Sequence, residues 1–336
     1  MDRALQMSFP LIIAELGSVH DGSFGNACKL IEAAALAGAD VVKFQTHIPE
    51  AETLENAPSP KYFSSESRFD YFRRTGFTEV QWQELKNKCV NCGVKFLSSP
   101  FSLEAVDLLE RVGVDLYKVP SGEVTNTPLL EKLALTGKPV LLSSGMSDFS
   151  ELDTAVRILE KNNHLVVMQC TSEYPCPPEK VGLNVIKELA DRYGHATGFS
   201  DHTLGCAASF AAAALGTLVV EKHFTFSKLM YGSDAAHSME PDEFTVFTKG
   251  LRDIWQMLDS PVDKNDIQSF AEMKKIFQKS IVTAKPLNKG HVLIYEDMAF
   301  KKPGDGIPAS AWRDIAGLVV SRPLEINHKI TREDFI

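Results

Sequence analysis

Eight short apolar runs, each followed by a stretch of helical spacing, leave this chain few architectures. The runs cover residues 11–15, 40–45, 95–100, 116–123, 139–145, 165–174, 195–203 and 218–224. Helix-like segments at 26–37, 79–91, 103–111, 128–136, 151–161, 183–192 and 204–215 separate them, and 241–258 follows the last run. In that final segment Phe244, Phe247, Leu251, Ile254, Trp255 and Leu258 recur at helical spacing. Short buried strands alternating with helices indicate a parallel sheet. Eight such units indicate an α/β chain folded as a (β/α)8 TIM barrel. An open, doubly wound sheet is the competing arrangement. It builds its site at a topological switch point, whereas here polar residues collect at the C-terminal end of nearly every run, the face on which barrels form their sites.

Two of those ends carry histidine. His202 closes the seventh run and His223 the eighth, with an Ala-rich helical segment between them. Parallel neighbours joined by one crossover helix bring both imidazoles to the same end of the sheet, where a metal or an oxyanion can draw two nitrogen donors. Acids stand beside both, Asp201 and Glu221, which favours a functional pair over histidines that only hydrogen-bond to the rim. Lys43 and Lys118 fall within the second and fourth runs. A barrel interior is packed and apolar, so two lysines there need a task. The competing explanation is pairing with Glu15 or Glu123 to keep the interior neutral.

At 336 residues the chain exceeds a barrel of about 250 residues. The reading is a barrel over 1–262, a linker over 263–279 and a second domain over 280–336. Short strand-like pieces and turns at 280–284, 288–291, 303–308 and 317–320 make that tail a small β-rich module, without internal repeats. A net charge of −9 argues against nucleic acid or an anionic membrane as partner. No apolar stretch is long enough for a bilayer span and residues 1–6 lack a secretory h-region, so the cytoplasm is expected. None of the six cysteines is assigned chemistry: Cys89 and Cys92 lack the second pair that a zinc ribbon needs, Cys28, Cys170 and Cys206 read as core residues, and Cys176, between prolines, is expected at the surface.

The ordered set Ile13–Gly17, Val42–Thr46, Ser99–Phe101, Tyr117–Glu123, Ser144–Met146, Gly198–Thr203 and Glu221–Thr225 resembles the sialic acid (N-acetylneuraminate) synthase family. The tail, with Lys302-Pro-Gly-Asp-Gly-Ile307, resembles the antifreeze-like SAF domain, a β-clip module, that follows the barrel in those synthases. The resemblance implies condensation of phosphoenolpyruvate with an N-acylhexosamine, giving a nine-carbon 2-keto sugar acid and phosphate. It also implies a domain-swapped homodimer in which each tail caps the partner's barrel.

On that resemblance Lys43, Lys118, Ser99, Ser121 and Ser200 hold phosphoenolpyruvate, whose phosphate and carboxylate call for cations and hydroxyl donors. Gln45, Ser172, Tyr174, Asp234 and Lys302 complete the substrate contacts. A divalent ion, Mn2+ or Mg2+, on His202 and His223 would polarise the open-chain aldehyde. Glu123 is the expected base for water, Glu15 the second catalytic carboxylate, and Glu221 orients water or grips sugar hydroxyls. Ser172 stands where the family often has Asn, and Lys302 where it has Arg, which Lys does not replace at a planar contact. N-acetylmannosamine and diacetamido analogues, as in legionaminic or pseudaminic acid synthesis, therefore both stay open as acceptors. Other phosphoenolpyruvate–aldose synthases and a non-catalytic sugar-binding barrel are the alternatives; the first lack a SAF tail, and the second has no use for a metal pair.

Overall fold

The computed structural model describes residues 10–58, 66–161 and 164–336. They form two units, divided between Ser260 and Pro261. In the first, eight parallel strands close into a barrel in sequence order: β1 (Leu11–Gly17), β2 (Val41–Thr46), β3 (Lys95–Pro100), β4 (Tyr117–Val119), β5 (Val140–Ser143), β6 (Leu165–Cys170), β7 (Ala196–Asp201) and β8 (Val219–His223). The competing open sheet is excluded by the pairing of β1 with β8, which sets Glu15 beside His223. On its other side Glu15 lies beside Lys43 of β2.

Among the described residues ten α-helices accompany the strands: α1 (Phe24–Leu36), α2 (Pro49–Glu52), α3 (Arg68–Thr75), α4 (Glu79–Asn91), α5 (Leu103–Val112), α6 (Thr127–Leu135), α7 (Phe149–Leu159), α8 (Leu183–Tyr193), α9 (Ala207–Ala214) and α10 (Pro241–Leu258). Their starts follow capping chemistry. Ser23, Ser67, Thr78, Ser102, Asn126 and Asp148 each accept a backbone N–H of the first turn. The main core lies between the strands and helices, where outward residues such as Val42, Phe44 and Val167 meet helix faces. A smaller cluster of Leu11, Ile13, Val41, Leu97 and Met168 plugs the barrel interior. That plug closes one end and leaves the other open for a site. α2 and α3 were not anticipated; they lie in the long connection between β2 and α4.

The second unit departs from expectation in three ways. The segment read as a linker holds a helix, α11 (Ala271–Phe277), and a further short helix, α12 (Trp312–Ile315), follows later. Of the strand-like pieces, Ser280–Thr283 becomes β9, but its antiparallel partner is β10 (Met298–Lys301). Finally, the module does contain a repeat. His291 bonds Asp297 at 2.6 Å and His328 bonds Asp334 at 2.8 Å. Each aspartate is fully buried and also accepts a backbone N–H three residues before it, from Ile294 or Thr331. A basic partner completes each, Lys285 at 2.8 Å and Arg322 at 2.7 Å. Charge-assisted bonds to a buried carboxylate tie two turns together in a unit too small for a large core.

Candidate active site

The open end of the barrel holds one cavity of about 450 Å³. Fourteen of the fifteen residues singled out in the sequence line it: Glu15, Lys43, Gln45, Ser99, Lys118, Ser121, Glu123, Ser172, Tyr174, Ser200, His202, Glu221, His223 and Asp234. The fifteenth, Lys302, belongs to the other unit, where its Nζ sits 4.9 Å from the centre of the Phe277 ring. Strand alternation explains the gathering. Within a strand, residues two apart share a face, so Lys43 and Gln45, Ser200 and the following His202, and Glu221 and His223 all point inward.

At the floor lie four buried charges. Lys43 Nζ is 2.9 Å from Glu15 Oε2 and 3.1 Å from Glu221 Oε1. Lys118 Nζ is 3.6 Å from the same Glu221 oxygen and donates to Ser143 Oγ at 2.6 Å. Ser200 also donates to Glu221 Oε1, at 3.1 Å. The neutralising partner of Lys43 is thus Glu15 together with Glu221. Glu123 sits instead on the rim, in the turn after β4, and accepts from Asn126 at 2.7 Å. Burial works against a charged Glu221, but Lys118 and Lys43 outweigh it and hold its pKa down to about 2. Burial dominates at Glu15, which among the described residues has Lys43 alone within ion-pair distance, and its pKa is raised. Burial also lowers Lys118, Glu221 offsetting only part of the cost, and raises Glu123 despite the bond from Asn126.

Above the floor the two imidazoles face each other with ring centres 5.5 Å apart, and Tyr174 packs on His202 at 4.1 Å. His202 Nδ1 bonds the Thr171 carbonyl oxygen at 2.8 Å, which turns its Nε2 toward other partners. His223 Nδ1 is buried without a hydrogen bond, and its nearest anion, Asp234 Oδ2, is 4.0 Å away. Burial depresses His223 to about 4, so the ring is neutral near pH 7. At His202 burial is outweighed by Cys170 and the Thr171 carbonyl, and the pKa is raised. Among the described residues no three His, Cys, Asp or Glu side chains converge as a ready-made metal site. The histidine pair still fits a divalent ion, because it offers an orphaned buried nitrogen and a second ring oriented by its other nitrogen. Water and substrate oxygens would fill the remaining positions.

The buried polar atoms of this cavity without a hydrogen-bond partner include Ser99 Oγ, Glu221 Oε2 and His223 Nδ1. Groups of that kind are rare in folded proteins and mark a place for a ligand.

Three expectations are corrected here. Asp201, the acid beside His202, faces away from the cavity: Lys222 bonds it at 3.0 Å and Ser209 at 2.5 Å. It cannot serve the reaction directly. Cys176 is buried, its backbone N–H bonded to the His202 carbonyl oxygen at 2.9 Å. Cys170, read as plain core, lines the cavity with its Sγ 3.9 Å from His202 Nδ1. The sequence reading also missed a wall of His47, Glu52, Arg68, Phe72 and Phe101. His47, just past the end of the second run, and Phe101, which closes the Ser99–Phe101 motif, were the visible signals for it.

Comparison with known proteins agrees with this geometry. The profile of the NeuB family matches residues 30–263 and that of the SAF domain residues 278–336. The chain belongs to the NeuB family. Within or near that family, it is 36% identical over 327 residues to N,N'-diacetyllegionaminic acid synthase of Campylobacter jejuni, covering 94% of this chain and 97% of the relative. It is 33% identical to human N-acetylneuraminate-9-phosphate synthase, with 96% and 91% covered. Among solved structures, the N-acetylneuraminic acid (sialic acid) synthetase of Leptospira borgpetersenii, in complex with citrate, superposes with a TM-score of 0.69 at 28% identity. That match covers 79% of this chain and 91% of the other.

Proposed function

We propose that this NeuB-family chain is a nonulosonic acid synthase. It condenses phosphoenolpyruvate with an open-chain N-acylhexosamine, N-acetylmannosamine or a diacetamido analogue, and water, to give a nine-carbon 2-keto sugar acid and phosphate. The observation that carries the reading is the meeting, in one cavity, of two buried lysines with a histidine pair holding an orphaned nitrogen.

In this reaction the vinyl carbon of phosphoenolpyruvate bonds to the aldehyde carbon, water adds to the second carbon, and that carbon's bond to the phosphate oxygen breaks. Lys43 and Lys118 supply the cations for phosphate and carboxylate, and Ser99, Ser121 and Ser200 supply hydroxyls. Because Glu15 and Glu221 already balance both lysines, the anionic substrate competes with them, and the orphaned Ser99 hydroxyl becomes satisfied. His202 and His223 would hold Mn2+ or Mg2+, which supplies Lewis-acid polarisation of the aldehyde. Glu123 accepts the proton of the attacking water; burial, by raising its proton affinity, suits it to the task. Glu15 stabilises positive charge developing at the second carbon, while Glu221 and Asp234 orient water and sugar hydroxyls. Ser172 and Tyr174 line the sugar's path. Lys302, in a second copy's tail, is proposed to reach the acyl group across a domain-swapped dimer. The cytoplasm is the proposed compartment, in keeping with six unpaired cysteines. No helix among the described residues is long and apolar enough to cross a membrane.

The test is phosphate release from phosphoenolpyruvate with a panel of aldoses. Turnover is expected with an N-acylhexosamine and none with arabinose 5-phosphate or erythrose 4-phosphate. The opposite pattern would overturn the reading.

A further inference from the structure

The wall missed in the sequence contains a chain of hydrogen bonds leading to the catalytic floor. His47 lies flat between Phe72 and Phe101, with ring centres 3.5 and 4.0 Å away. Its Nδ1 is 2.6 Å from Glu52 Oε1 and its Nε2 3.1 Å from Gln45 Oε1. Gln45 Nε2 in turn donates to Glu15 Oε1 at 2.7 Å. The side chains of His47 and Glu52 are each only 4% exposed.

Donor accounting leaves one arrangement. Glu15 is paired with Lys43 and accepts, so the Gln45 amide must present its NH2 to it; the flipped amide would set oxygen against oxygen. Gln45 Oε1 then faces His47 and needs a donor, so Nε2 carries hydrogen. One more proton lies between Nδ1 and Glu52 Oε1, whichever of the two owns it. Both ends of the Gln45 amide are thereby committed to the protein.

We propose that His47 is a positioning residue: the Glu52–His47–Gln45 relay fixes the Gln45 amide so that it holds Glu15 in its working orientation. The proposal rests on the synthase reading for what Glu15 does. The aromatic sandwich restrains the ring plane, and Glu52 restrains its protonation. Without the Nε2–H, the Gln45 amide is free to rotate, and Glu15 loses the donor that holds its Oε1 in place, while its Oε2 keeps Lys43.

The experiment uses His47→Phe, which keeps an aromatic ring in the sandwich but removes both hydrogen bonds. Misplacing a reacting group costs about 10- to 100-fold, and the loss should fall on kcat, with KM for phosphoenolpyruvate nearly unchanged. Gln45→Ala should lose a similar factor. The double variant should be no worse than Gln45→Ala alone, because His47 acts through Gln45. Multiplied losses, or a fully active His47→Phe, would overturn the relay. Should His47→Phe not fold, His47→Phe with Glu52→Leu removes the stranded carboxylate and takes its place in the same cycle. A readout independent of turnover is the 15N ring spectrum of His47 in the wild-type chain. A protonated Nε2 supports the relay, and a bare Nε2 refutes it. Were the wild-type chain inert with every aldose, the synthase reading would fall while this spectrum still decided the relay.

Discussion

Replacing Lys118 by methionine isolates the charge in the barrel floor with the least change of shape. In the free protein Lys118 lies 3.6 Å from Glu221 Oε1. At an effective dielectric of about 20, that separation corresponds to roughly 4–5 kcal/mol of attraction. Little of it should appear as lost stability, because burying the ammonium is itself costly and Glu221 keeps Lys43 at 3.1 Å and Ser200 at 3.1 Å. A loss of about 1–3 kcal/mol is expected, below the roughly 3–5 kcal/mol for stranding a buried charge entirely. The effect on phosphoenolpyruvate is separate from the effect on stability and of similar size. The four floor charges sum to zero with Lys118 present and to −1 without it, so an anionic substrate meets net repulsion where the floor had been neutral. Loss of one hydrogen bond to a charged group, about 1.5–3 kcal/mol, corresponds to a roughly 10- to 100-fold weaker substrate. Isothermal titration with phosphoenolpyruvate measures this directly, with urea denaturation alongside for stability. The reasoning is refuted if phosphoenolpyruvate affinity is unchanged, or if the KM of the sugar rises by the same factor.

Chelation of divalent ions should abolish phosphate release and Mn2+ or Mg2+ should restore it, while His202→Ala and His223→Ala should lose the calorimetric Mn2+ signal; full turnover in chelator would remove the Lewis-acid role. His20 is buried and packs against the Phe77 ring with centres 4.6 Å apart, and burial lowers its pKa to about 4. Between pH 4 and 6.5 the unfolded chain therefore binds the extra proton, so stability should fall as the pH drops through that window, by at most about 3 kcal/mol from this group. His20→Asn should flatten the slope of stability against pH measured by denaturation. Gly17 has φ +51°, and a Cβ there would meet Asp234 Oδ2 at 2.7 Å; Gly17→Ala should displace Asp234 and raise the sugar's KM more than that of phosphoenolpyruvate. Mixing Lys302→Ala chains with His202→Ala chains should restore activity if the tail acts in trans, since one mouth of the mixed dimer then carries neither defect; mixed dimers that stay inactive would exclude the swapped arrangement.

The barrel was legible because its signal is periodic and repeated. Each run is buried on both faces, so it reads as continuous apolar sequence, and helix boundaries such as Glu79–Asn91 and Pro241–Leu258 coincide with the pattern. Ends were less legible where a turn continues the apolar character. The fourth run extends to 123 in sequence, but β4 stops at Val119 because Pro120 leads into a 3-10 turn that carries Glu123 to the rim. The tail was read poorly for a different reason. Its strands are four residues long, too short for a period, while its real organising signal, a histidine six residues before an aspartate, occurs twice and depends on no hydrophobic pattern.

The site followed the same division. Residues at strand ends were legible because barrel topology alone sends them to one mouth. What topology does not supply is the facing of each neighbour. On β7 and β8 alternate residues turn inward and outward, so Ser200, His202, Glu221 and His223 share the cavity while Asp201 and Lys222 meet behind it. There Lys222 also donates to the Thr203 carbonyl oxygen at 2.5 Å and Asp201 accepts the Thr203 N–H at 2.8 Å. An acid next to a cavity-facing histidine in sequence is thus, in a strand, the residue least able to reach the same cavity. The wall of His47, Glu52, Phe72 and Phe101 lay beyond any such rule, because it joins a strand end, two short helices and the end of another strand. Those contacts depend on how the long connection after β2 folds back, which no local period encodes. Chemistry carried by strands could therefore be read from spacing, and chemistry carried by the connection between them only from the folded chain.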